Sequence, residues 1–187
     1  MTKNFTKAES LLYLKKYEKK INFKIPKFFF VTKKEYLSNK FNFFKKINKY
    51  FKNKNLILRS SSLQEDKSEN SNAGKYKSFS NIYFKDEEKI IKNIDKIIKD
   101  FDNLNDQILV QEYISGFEVG AQFFYLKDKP CIFVMHDDQM GGISNNIPIG
   151  HSMPCSLKPT VLLKCEDTLE RFFCKNEHRT EKNYKRI

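Results

Sequence analysis

Arg59 is followed by three hydroxyls, Ser60, Ser61 and Ser62, and here the residue types point most directly to chemistry. The run before it, Leu56-Ile57-Leu58, is apolar and strand-like. After it, Ser68 to Gly74 form a loop of small and polar residues that ends at Lys75. A guanidinium offers a fixed fork of donors to phosphate oxygens. Hydroxyls and loop amides add neutral donors, and a turn can aim several amides at one point. Glycine suits a place where backbone approaches a phosphate closely. The stretch therefore predicts an anion cradle built on Arg59, Ser60, Ser61, Gly74 and Lys75. A solvated connection has the same Ser, Asn and Lys content. In that case Arg59 pairs with Glu65 or Asp66, and the serines only cap a turn.

Two further places carry candidate chemistry. The strand-like run ILVQEYI, with Gln111, Glu112, Tyr113 and Ile114, enters a turn at Ser115-Gly116, and Glu118 follows. His136-Asp137-Asp138 has the residue types of a metal cluster but no partner motif, so it reads as the charged exit of a hairpin. His151, between Gly150 and Ser152, is a lone histidine.

The elements that must position these residues follow from periodicity. Thr6 and Glu9 form a capping box, and Leu11, Leu12, Leu14 and Tyr17 give a stripe that predicts a helix over 7–20. Strands are predicted at 27–32, 56–59, 78–84, 107–114, 119–126 and 130–136. Helices are predicted at 33–52 and 86–103, the latter with isoleucines at helical spacing that read as core. Residues 137–150 read as loop. From Lys158 the composition changes, with a short helical stretch and then mostly charge. The reading divides the chain at 1–106, 107–157 and 158–187, the last a frayed tail, and expects a chain that stops short of a finished strand–helix unit.

With 187 residues and 40% apolar content, there is enough material for a core. The charge of +12 is mostly lysine spread along the chain. It lacks the arginine-rich, aromatic-interleaved stripe of a nucleic-acid surface. Four cysteines without a C-x-x-C pair suggest free thiols in a reducing cytoplasm. No apolar run reaches the roughly 20 residues of a membrane span.

Three pieces in order resemble the nucleotide-binding domain of phosphoenolpyruvate synthase and pyruvate phosphate dikinase. They are TKAESLLYLKK with INFKIPKFFFVTKKEY, then LRSSSLQEDKSENSNAGKYKSFSNI, then ILVQEYI. In the second piece Arg59, Ser60, Ser61, Glu65, Asp66, Ser71, Ala73, Gly74, Ser78 and Asn81 match the family's pattern. After the turn, YISGFEVGAQFFYLKDKP and PIGHSMP resemble carboxylate–amine ligases of the ATP-grasp type. The resemblance covers about residues 5–155 and implies an α+β, two-lobed ATP-grasp fold, incomplete at its C-terminus. It implies ATP as cofactor, with Mg2+ if the protein is catalytic, and a small-molecule acceptor. In the dikinase type a phosphohistidine domain, separate from this chain, is also implied. By the same resemblance Lys7 and Arg59 contact the nucleotide and Glu118 accepts from the ribose hydroxyls. Backbone of Glu112, Tyr113 and Ile114, with the Gln111 amide, reads the adenine, and His151 touches substrate or phosphate. Thr6 stands where the dikinase helix has glycine, and no family-type pair of acidic metal ligands is found in 156–187. A phosphotransferase, a ligase working through an acyl phosphate, and a truncated ATP-binding module without catalysis all remain open.

Overall fold

The computed structural model describes residues 5–21, 23–62, 77–126, 129–141 and 147–174. Apolar side chains at alternate positions build its first sheet, from β1 (Phe28–Thr32), β2 (Asn55–Ser61), β3 (Ser78–Tyr83) and β4 (Gln107–Glu112). The strands run in the order β1-β4-β2-β3, antiparallel throughout. Phe29, Val31, Leu56, Leu58, Ile82, Ile108 and Val110 face one side and form the core with three helices. These are α3 (Lys33–Ser38), α4 (Lys40–Phe51) and α5 (Glu87–Lys99). They contribute Tyr36, Phe43, Ile47, Phe51, Ile90, Ile94 and Ile97, all essentially buried. The isoleucine stripe of α5 is core, as its spacing predicts. Burial without a partner for its hydroxyl pushes Tyr36 up to about 12.

The single helix expected over 33–52 is two. Asn39 leaves helical geometry, with φ −152° and ψ 76°, and its side-chain oxygen accepts from the Asn42 amide at 2.8 Å. Such a residue both ends one helix and caps the next, and the break lets Tyr36 and Phe43 meet edge-on at 5.1 Å. The helix expected over 7–20 also divides, into α1 (Lys7–Lys15) and α2 (Glu18–Ile21). Its capping box forms as expected: Thr6 Oγ1 accepts from the Glu9 amide at 3.2 Å, and Glu9 Oε2 accepts from the Thr6 amide at 2.8 Å. The buried residue of α1 is Ala8, while Leu12 of the expected leucine stripe is exposed.

The chain separates into two compact units, residues 3–16 with 25–114, and residues 17–24 with 115–187. β4 therefore belongs with the first unit, through its pairing to both β1 and β2. The second unit holds α2, β5 (Val119–Leu126), β6 (Lys129–Gly141), β7 (Ile147–Ser152) and α6 (Pro159–Cys174). Its sheet has the order β5-β6-β7, antiparallel. The loop expected over 137–150 is thus corrected: β6 runs on to Gly141, and β7 pairs back on it. The apolar alternation that signals a strand is missing there, because the alternating residues are His136, Asp138 and Met140. α6 is a 16-residue helix where composition suggested only a short one, and its Phe172 meets Tyr17 and Phe23 edge-on. Residues 175–187 lie outside the described residues. No helix among the described residues is long and apolar enough to cross a membrane.

Candidate functional site

The first unit's sheet has a second face, and the register sets its residues in rows. Phe28, Gln111 and Ile57 form one row, Phe30, Leu109 and Arg59 the next, and Thr32, Gln107 and Ser61 the third. α1 sits over the third row. The Ala8 amide donates to Ser61 Oγ at 3.0 Å, and Thr6 Oγ1 lies 3.4 Å from Gln107 Oε1. Lys7, the first residue of α1, is therefore next to the Arg59-Ser60-Ser61 run. Residues two apart on a strand are about 7 Å apart, so Arg59 is on this face one row from the Ser61 contact. Of the sequence-predicted residues, the structure brings together Lys7, Arg59, Ser60 and Ser61. Gly74 and Lys75, with Glu65, Asp66 and Ser71, lie outside the described residues.

The sequence left Ser61 either a phosphate hydroxyl or a turn cap; it is buried and its oxygen accepts from the Ala8 amide, so it pins α1 to β2. Ser60 is equally buried within the strand, its amide reaching the Lys77 carbonyl at 3.4 Å. Backbone of Glu112 to Ile114 was expected to read adenine; of its amides, those of Glu112 and Tyr113 donate to the carbonyls of Lys27 and Asn55, each at 2.8 Å, because the ends of β1 and β2 flank β4 on both sides. The Glu112 carboxylate pairs with Lys54 at 3.0 Å. Ile114 follows in the exit segment and is exposed. Gln111 differs from these: its side chain is 7% exposed, and its Oε1 is buried without a hydrogen-bond partner. Such an acceptor is costly to leave unmade and suits an N–H donor from a ligand. The matched residues Ser78 and Asn81 are sheet residues. Asn81 adopts φ 57°, which Asn tolerates, and accepts from Asn55 Nδ2 at 2.6 Å beside a bulge.

The first unit also has a cleft of about 680 Å³ alongside β1, lined by Leu12, Lys15, Phe28, Phe30, Lys49 and Tyr50, among others. None of the sequence-predicted residues is in its lining. We place the candidate site at the Arg59 rows, where charge and an orphaned acceptor converge, rather than at this cleft.

In the second unit Glu118 and His151 share a neighbour. The Asp138 amide donates to the Glu118 carbonyl at 3.0 Å, and Asp138 Oδ1 lies 2.8 Å from His151 Nδ1. His136 Nδ1 is 3.1 Å from the same oxygen, and the two imidazoles are 4.2 Å apart between centroids. The sequence reading took His136-Asp137-Asp138 as a charged hairpin exit for want of a partner. The partner is His151, brought in by the pairing Asp138↔His151. Only strand pairing could reveal this, since β7 was read as loop. Asp137, on the opposite side of the strand, accepts from the Cys155 thiol at 2.9 Å and from the Ser156 amide at 2.9 Å. These bonds, the thiol's first, hold the Asp137 carboxyl below the usual range, and the carboxylate pushes the Cys155 thiol up.

No family model and no curated protein matches the chain. A solved structure, D-alanine–D-alanine ligase from Helicobacter pylori, is similar over 92% of this chain and 43% of that one, with TM-score 0.52 and 12% identity. The chain thus spans less than half the length of that ligase. At this identity the likeness is one of fold, and it shows an α+β, ATP-grasp-like fold.

Proposed function

We propose that the chain is an ATP-binding module of the ATP-grasp type, of the class that joins a carboxylate to an amine. The observation that carries the reading is the seam between α1 and β2. There Ala8 bonds Ser61, and Lys7 and Arg59 come to one end of the second sheet face. Two cations beside a strand end suit a polyphosphate. The buried, unpartnered Gln111 Oε1 suits the exocyclic amine of adenine. Magnesium fits less well. Among the described residues the one group of three ligating side chains is His136, Asp138 and His151, and two imidazoles are a poor donor set for a cation that prefers oxygen.

In this reading Arg59 and Lys7 hold the phosphates, and Gln111 orients the base. A ligase of this class transfers the terminal phosphoryl group to a carboxylate, and an amine then displaces phosphate. The products are ADP and phosphate, formed only when both acid and amine are present. The second reading is a phosphotransferase of the phosphoenolpyruvate synthase type. It is favoured by the long match from Arg59 to Asn81 and gives AMP and phosphate instead.

The test is calorimetry with MgATP on the wild type and on Arg59→Ala. We expect affinity to fall at least ten-fold, about 1.4 kcal/mol. Equal affinities remove Arg59 from the site, and no measurable binding to the wild type removes the reading altogether.

A further inference from the structure

The geometry points to a binding site for a borderline-soft divalent metal ion, of the zinc and cobalt kind, on the second unit's sheet, formed by His136, Asp138 and His151. The pleat places them together. His136 and Asp138 alternate on β6, so both side chains leave the same face, and the pairing Asp138↔His151 puts His151 on that face as well. One ligand atom from each of the three lies within 4.8 Å of the others. Ligand bonds of about 2.0–2.2 Å to nitrogen and oxygen place donors at such separations around one ion.

Three observations favour an ion over a plain hydrogen-bond network. First, His136 is 5% exposed, and its Nδ1 lies 3.1 Å from Asp138 Oδ1 yet makes no aligned hydrogen bond. A buried ring nitrogen without a partner is what an ion would satisfy. Second, the imidazole centroids stand 4.2 Å apart, which lets both rings reach one ion. Third, Gly120 lies opposite His136 on β5, and a Cβ there would collide with the imidazole ring. The missing side chain makes the seat that holds the ring down. His151 is half exposed and gives the ion a way in. Imidazole nitrogens select the zinc-like metals over magnesium, and three protein ligands leave a coordination position open. The site uses no residue of the nucleotide reading except His151, which it reassigns from substrate to metal.

The experiment is titration of the full chain with ZnCl2 by calorimetry, with Co2+ absorption as a second readout of imidazole ligation. We expect one ion per chain and a rise in thermal midpoint with zinc. We expect His151→Ala to weaken zinc at least ten-fold and to lose the Co2+ bands. His178→Ala removes the remaining histidine and should leave both readouts unchanged. His151 is half exposed, so its variant keeps the test sound even if His136→Ala fails to fold. No stoichiometric binding, or binding that His151→Ala leaves intact, overturns the site.

Discussion

The two units are organised by different forces. In the first, sixteen buried apolar residues among those described, on one sheet face, three helices and the segments beside them, form a continuous core. Polar residues near strand ends already have partners there: Ser61 holds the Ala8 amide and Glu112 pairs with Lys54. In the second, the buried apolar side chains among those described are Ile21 and Cys155, while His136 is buried on a sheet face beside Asp138. A motif that looked chemical in the first unit became partly scaffolding. A cluster that looked bland in the second was assembled by strand register. Residue type alone settles neither, because whether a polar group is available depends on which partners it already serves.

Mutations distinguish the two kinds of organisation. The largest effect is expected at Phe51, which is fully buried and meets Phe29 at 5.8 Å. Phe51→Ala should cost about 3–5 kcal/mol in denaturant unfolding; a cost near that of an exposed site would undo the picture of an apolar core. Next is Gly120 in the second unit. Gly120→Ala drives a methyl into the His136 ring and should cost about 1–3 kcal/mol. It should also weaken zinc, and an unperturbed variant would show that the ring has room to move.

Ser61→Ala separates scaffold from ligand contact. It strands the Ala8 amide in a buried place, so we expect a loss of about 1–3 kcal/mol. If stability holds while ATP binding falls, Ser61 is a phosphate contact after all. The smallest effect concerns the second capping box, where Glu35 accepts from the Thr32 amide at 2.7 Å. That backbone bond is the main cause holding its carboxyl below the ordinary value. The contribution is complete above the unfolded carboxylate's value, about 4.3, and disappears as pH falls through the lower folded value. Solvent screens this exposed group, so Glu35→Gln should lose only a few tenths of a kcal/mol at pH 7, and the difference from wild type should vanish in acid.

Much of the first unit was legible from sequence because its signals are local. The Thr6–Glu9 capping box, the α5 isoleucine stripe and the apolar strand runs each depend on residues within a few positions. The breaks at Asn39 and after Lys15 were missed, because helical apolar spacing continues across both and only packing decides where the chain turns. β7 was missed for the opposite reason, since Pro148 and Gly150 within IPIGHS read as loop signals.

For the Arg59-Ser60-Ser61 run, the sequence determined that an arginine and hydroxyls would be delivered at the end of an apolar strand. Strand propensity and spacing are enough for that. That Ser61 serves α1, that the Glu112 and Tyr113 amides serve the first sheet, and that Gln111 keeps an unpartnered acceptor all depend on how distant segments pack. So does the meeting of His151 with Asp138 across 13 residues of chain. Hydrogen bonds and metal ligands are satisfied in space, and the partner that satisfies a group need not be near it in sequence.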